Sequence, residues 1–380
     1  MTEQPRESAA EEAPSKKQRN KRLGCLLNLG LIALSLVLGI LLCEGILRVL
    51  HPMKGNQGKL LEDLPDDPIQ YQLIPGAEAV YYGAKVHVNE DGYRGEPLPD
   101  ATDENVLRLV VLGDSMTFGN GVGERDPYPV RLAQWLSSHA EGWEARAANL
   151  GVPSYNTEQV AIQLERKGLT LHPDLVVYGF FVNDAAPKGT AIYWSRPDPG
   201  LIQSLSEGSY FLRFLQSQVP QLVTATRKSL GIRARSEGYI EFYREGTESW
   251  RNCRDSLERI RNACREADVP LAVVLIPFWV DFKNYPWADC HQAVREELNN
   301  LEVPVIDLAK IWGEKGVNGR KYWIDIHQSH PTGEGYQLLT DTVGPFLERE
   351  VWPNSPLSTE FPLVGEKKSE LDPSGKNDQN

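Results

Sequence analysis

Hydrophobic positions along this chain fall into three regimes. From Leu23 to Cys43 no side chain is charged, a run of about 20 residues, which is what a helix needs to cross the hydrocarbon core of a bilayer. Asn28 and Ser35 are too few to make the polar side of an amphipathic helix, so the pattern disfavours a buried core helix. Between about 106 and 350, short continuous apolar runs alternate with segments of helical period. From Val351 onward the chain is polar and Pro-rich without periodicity, which predicts a disordered tail over 351–380.

The apolar runs Leu107–Leu112, Arg146–Leu150, Asp174–Phe181, Leu271–Pro277 and Val303–Leu308 have the length and composition of buried strands. Helical segments are predicted over Tyr128–Ser138, Thr157–Gly168, Trp250–Ala267, Ala288–Asn300 and Gly335–Glu348. Strand and helix in alternation imply a parallel sheet with helices on both faces, a flavodoxin-like three-layer α/β/α body of about five strands spanning 106–350. Residues 185–248 interrupt this rhythm and are too long for a plain loop, so they are expected to form an insertion that selects substrate. Residues 44–105 carry Pro, Gly and acidic side chains with short alternating patches at Val80-Tyr81-Tyr82 and Lys85-Val86-His87-Val88. They predict a membrane-proximal segment with one or two strands. Asn89-Glu-Asp-Gly-Tyr-Arg-Gly95 is a turn by composition, with Arg94 expected at the surface or in a structural ion pair.

Charge then orients the anchor. Lys16, Lys17, Arg19, Lys21 and Arg22 precede the apolar run and only Arg48 and Lys54 follow closely, so residues 1–22 are expected in the cytoplasm and the bulk of the chain outside. A cleavable signal has a shorter apolar region and a small-x-small exit, and Cys43 follows Leu42 and not a small residue. An uncleaved single-pass anchor over 23–43 is therefore the expectation. The chain has 380 residues, 41% of them hydrophobic, and a net charge of −12. With no basic, aromatic-interleaved stripe, nucleic acid is excluded as a partner. Cys253 and Cys264 stand roughly 16 Å apart on one predicted helix and cannot bond to each other. Either could reach Cys290, leaving a disulfide or inert buried thiols as alternatives.

The chemistry begins where the first strand stops, at Gly113-Asp114-Ser115. A serine just past the carboxyl end of a parallel strand faces the crevice in which open α/β sheets bind ligands. Two more strands end in residues able to point donors into the same crevice, Gly151 and Asn183. The glycines Gly119, Gly121 and Gly123 lack the continuation of a phosphate-binding loop, so nucleotide binding is not supported. A serine needs a base, and His330, in the stretch Asp325-Ile-His-Gln-Ser-His-Pro-Thr-Gly-Glu-Gly-Tyr336, stands in a loop entering a helix from which it can reach back over the crevice. His51, His87, His139, His172 and His291 have no such setting and are expected at the surface. Asp325, His327 and His330 could also be spaced as metal ligands, but no second cluster accompanies them, and neither metal nor cofactor is expected.

These residues resemble the SGNH (GDSL-type) hydrolase superfamily over roughly Val106 to Leu347. Gly113-Asp114-Ser115 is similar to its first block, Asn149-Leu-Gly-Val-Pro153 to its second, Asn183-Asp184 to its third, and His330-Pro331 with Gly335 to its last. The Asn-x-Asp-Gly-Tyr-Arg-Gly stretch behind an anchor resembles bacterial envelope members. The resemblance implies Ser115 as nucleophile and His330 as general base. It implies an oxyanion hole from the N–H groups of Ser115 and Gly151 with the Asn183 side chain. Two positions depart from the family pattern: Phe181 replaces a glycine two residues before Asn183, and His327 occupies the place of the aspartate three residues before the base. Asp325 or a backbone carbonyl is left to orient His330. The expected function is an anchored extracytoplasmic serine esterase acting on O-acyl esters, with acetyl groups of an envelope or exported polysaccharide as the substrate that analogy suggests. An O-acyltransferase for such a polysaccharide, or a non-catalytic carbohydrate-binding member of the fold, are the alternatives.

Overall fold

A computed structural model describes residues 16–50, 57–99, 101–188, 209–218, 235–325 and 328–363. A single helix, Lys16–Leu50, carries the uncharged run, and its Gly24–Leu50 portion, with mean hydropathy 2.6 over its most apolar 18 residues, is long and apolar enough to cross a membrane. Two antiparallel hairpins follow, β1 (Leu61–Leu64) with β2 (Gln70–Leu73), and β3 (Glu78–Tyr81) with β4 (Ala84–His87). The predicted apolar runs then become β5 (Val106–Gly113), β6 (Glu144–Gly151), β7 (Leu175–Phe181), β8 (Leu271–Ile276) and β9 (Val305–Asp307). They pair in parallel in the order β6-β5-β7-β8-β9. Every residue of β5, β7 and β8 is buried, as continuous apolar runs between two layers of helix require.

The helices Tyr128–Ser138, Thr157–Gln163, Glu248–Glu266, Ala288–Asn300 and Gly333–Phe346 complete the layers, and the Thr157 helix runs on through a wider turn to Gly168. One helix, Leu308–Glu314, was not expected. Asp307 ends β9 and caps this helix by accepting from the Lys310 N–H, so the strand is shorter than the apolar run suggested. A short hairpin of β10 (Trp323–Asp325) and β11 (Gln328–Pro331) precedes the last long helix.

The disorder expected from 351 does not hold for residues 351–363. Val351, Trp352, Leu357, Phe361 and Leu363 are buried, and the Trp352 indole N–H donates to the Phe361 carbonyl at 2.8 Å. Residues 364–380, and 189–208 and 219–234 of the expected insertion, lie outside the described residues. All five cysteines are free, and burial pushes the thiols of Cys253, Cys264 and Cys290 up to about 12.

Candidate active site

Three neighbouring strands place three glycines in one row at the carboxyl edge of the sheet. Gly113 is in register with Gly151 on one side and Gly179 on the other. A Cβ on Gly151 would strike the Phe118 amide, one on Gly113 the Thr117 hydroxyl, and one on Gly179 the Tyr128 hydroxyl. The row is thus a seat without side chains, and the short helix Ser115–Phe118 occupies it. Asp114 caps that helix, its carboxylate accepting from the Met116 N–H at 2.8 Å.

Ser115 opens the helix with its hydroxyl part-exposed, and the His330 Nε2 lies 2.8 Å from the Ser115 Oγ, although 215 residues separate the two in sequence. His330 lies on β11 and not in a plain loop, and the helix that follows fixes its position. Thr332 caps that helix, and the Tyr336 hydroxyl, one turn in, donates to the Met116 carbonyl at 3.0 Å. The helix Ser115–Phe118 and the strand that carries His330 are thereby tied through one buried hydroxyl. Burial pushes the His330 imidazole down to about 4, so it is neutral and able to accept a proton across the neutral range.

The Asn183 side chain reaches the same place from the end of β7. Its amide helps to hold down the pKa of the buried Asp114 carboxyl, and its own Oδ1 is buried without a partner. Burial, the largest influence, pushes Asp114 up to about 6 against the bonds it accepts from Met116, Asn183 and Ser115. Asp184 next door is also raised, first by burial and then by the Asp114 charge, and its carboxyl accepts from the Tyr178 hydroxyl at 2.7 Å. Phe181, in the place of a family glycine, turns into the core against Phe278 with ring centroids 4.5 Å apart.

Gly151 is close by, but its N–H donates to the Asn149 Oδ1 at 3.0 Å. The donor expected to face the crevice is therefore engaged within its own segment. Asp325 contributes backbone to β10 opposite Gln328, while its side chain and the whole of His327 lie outside the described residues, and with them the alternative metal arrangement.

Two residues at the site were not foreseen in these roles. Arg94 is 2% exposed, and of the two settings expected for it the structural ion pair is the one found, with Glu124 at 3.4 Å. Its guanidinium donates to the carbonyls of Phe118, Gly119 and Val122 at 2.7–2.8 Å, closing the far end of the short helix Ser115–Phe118. Tyr82, at the tip of the β3–β4 hairpin, stacks on the His330 ring at 6.4 Å and 27°. The Asp-Gly turn around Arg94 and the tandem Tyr81-Tyr82 were visible in sequence, but nothing local said what they would touch. His291, expected at the surface, is 1% exposed, with its Nδ1 2.9 Å from Asp307 and its Nε2 3.3 Å from the Tyr285 hydroxyl.

The sequence model of the GDSL-like lipase/acylhydrolase family matches residues 111–338. A search of curated protein sequences returned no match. Among solved structures, a two-domain esterase active on acetylated mannans, co-crystallised with mannopentaose, is similar at 14% identity and TM-score 0.41; the match covers 64% of this chain and 49% of that one, about half its length. The lipase/acylhydrolase of Enterococcus faecalis is similar at 19% identity and TM-score 0.37, covering 64% of this chain and 95% of that one. An acetylxylan esterase from Geobacillus stearothermophilus is similar at 13% identity and TM-score 0.40, with 64% and 95% covered.

Proposed function

The chain belongs to the GDSL-like lipase/acylhydrolase family, and from that premise we propose that it is a serine esterase in which Ser115 is the nucleophile and His330 the general base. The observation that carries this reading is the 2.8 Å contact between the Ser115 Oγ and the His330 Nε2. As the Oγ attacks the ester carbonyl, its proton passes to His330 and negative charge develops on the carbonyl oxygen. The Ser115 N–H and the free hydrogen of the Asn183 amide receive that charge, and the Gly151 N–H joins them only where Asn149 releases it. Collapse of the intermediate breaks the bond to the alcohol, which takes the proton from His330 and leaves an acyl-Ser115 ester. Water, deprotonated by His330, then releases the acid and restores the serine. Asp325 is the residue we assign to orienting His330, supported by the pairing of β10 with β11, which sets the two on adjacent strands.

The finer parts of the proposal concern place and substrate. Residues 23–43 anchor the chain, residues 1–22 stay in the cytoplasm, and the catalytic body stands in the periplasm or cell envelope on its membrane-proximal segment. There the substrate we assign is an O-acyl, chiefly acetyl, ester of polysaccharide. A fluorophosphonate probe mapped by mass spectrometry tests the chemistry: it should label Ser115, and labelling elsewhere or not at all overturns the assignment. Release of acetate from acetylated polysaccharide, against transfer to an added sugar acceptor, tests whether water is the second substrate.

A further inference from the structure

Glu44 is the first charged residue beyond the uncharged run, on a helix that continues to Leu50. A carboxylate at the edge of a hydrocarbon layer is costly unless it is well bonded. Its partners come from one other helix, Tyr210–Gln218, which belongs to the insertion. The Ser209 hydroxyl donates to it at 3.0 Å, and the Tyr210 and Phe211 N–H groups at 3.1 and 2.9 Å. One turn on, Arg48 pairs with Glu44 at 2.9 Å and lies 4.7 Å above the Tyr210 ring, while Leu47 is buried. The helix of the insertion is therefore fastened, by its first turn, to the outer end of the segment that crosses the membrane.

The rest of that helix is unlike a water-facing surface. Phe211, Leu212, Phe214 and Leu215 follow within its nine residues and each is only part-buried. Apolar side chains gathered on a short helix beside the end of a membrane span match a segment lying in the plane of the interface, with a tyrosine at headgroup depth and a cation over its ring. We propose that Tyr210–Gln218 lies in the outer lipid–water interface with these four side chains among the upper acyl chains, held there by Glu44. The insertion is thereby moored to the bilayer at two adjoining points. This rests on the reading of residues 23–43 as an anchor and is independent of the ester chemistry.

The test uses the full chain in nanodiscs of phosphatidylcholine and phosphatidylglycerol, with benzoylphenylalanine in place of Phe211, of Leu215 or, as control, of the exposed Lys315. Irradiation followed by mass spectrometry should give phospholipid adducts at positions 211 and 215 and none at 315. Protein that stays in the discs but gives no lipid adduct at 211 or 215, or cross-links there only to protein, overturns the proposal and leaves the anchor standing. Protein that alkaline carbonate strips from membranes overturns both.

Discussion

A serine hydroxyl attacks an ester only when its proton has an acceptor and the new charge has donors, so the residues at this site divide by which need they meet. Replacing Ser115 by Ala removes the attacking atom and should abolish hydrolysis of a small chromogenic acetyl ester while the thermal transition is kept. Asn183→Ala removes one donor to the oxyanion and should lower kcat by roughly 100- to 1000-fold with little change in KM; a variant within about twofold of the parent would show that the amide serves only Asp114. The pH profile reports the base. His330, pushed by burial down to about 4, loses its accepting lone pair only as the pH falls through that value. The acid limb of kcat/KM should therefore lie near pH 4 and not near the 6.5 of a solvated imidazole, and a limb at 6.5 would contradict the burial of that ring. For stability the sign is opposite at its neighbour. The unfolded histidine binds its proton first, so His330 favours unfolding as pH drops from 6.5 toward 4, whereas Asp114, raised to about 6, favours unfolding as pH rises from 3.8 toward 6. These two contributions offset each other across pH 4–6, while Asp184, raised as well, adds a loss of stability as pH rises.

Elements, more than single residues, explain which parts of this molecule could be read in advance. The five parallel strands and their helices follow from continuous apolar runs bounded by glycine and from helical periodicity, and Tyr128–Ser138 and Ala288–Asn300 end where the pattern ends. The same pattern put Ser115, Gly151 and Asn183 at strand ends, because a parallel sheet sends all its carboxyl ends to one edge. What escaped are contacts between elements far apart in sequence. His291 shares a helical face with Val294 and Leu298, so its burial was legible in principle, but its partner Asp307 lies on another element. Trp352 and Phe361 are too sparsely spaced to show a period, yet they close the end of the fold. Arg94 is the sharpest case, since what it touches, three carbonyls at the end of the short helix Ser115–Phe118, the Glu124 carboxylate and the Phe118 ring, all lies later in the sequence. Truncation at Arg94→Ala removes three donors at once; the Phe118 and Gly119 carbonyls keep the Asn149 amide and the Val122 N–H, while the Val122 carbonyl loses the guanidinium that bonds it. A loss of about 1–3 kcal/mol in chemical denaturation is expected. Arg94→Lys should recover little, because a single ammonium cannot reproduce the planar fork.

On the scale of the whole molecule, the part that matches the family is not the part that folds. The match begins at residue 111, whereas the segment before it enters the same core. Leu60, Ile69, Tyr71, Leu73, Val86, Val88 and Tyr93 are all at most 6% exposed. The Tyr71 hydroxyl donates to the Pro153 carbonyl, the Tyr155 hydroxyl to that of Tyr71, and the Gln159 amide to that of Ile69. The helix Lys16–Leu50 is different, with its apolar side chains along Gly24–Leu50 exposed except for Leu47. Burying one aliphatic side chain is worth about 1.5–3 kcal/mol, so Leu60, Ile69, Leu73, Val86 and Val88 together rival the roughly 5–15 kcal/mol by which a domain is stable. Two truncations separate these roles. A chain beginning at residue 57 gives up the helix Lys16–Leu50, with the Glu44 contacts to Ser209, Tyr210 and Phe211, and should keep the kcat/KM of the full chain on a small acetyl ester. A chain beginning at residue 101 loses the buried strands and Arg94 as well, and should show no cooperative thermal transition and no activity. A folded, active product from residue 101 would mean that the strands before it merely cover the body, and that the short helix Ser115–Phe118 holds its shape without the guanidinium beneath it.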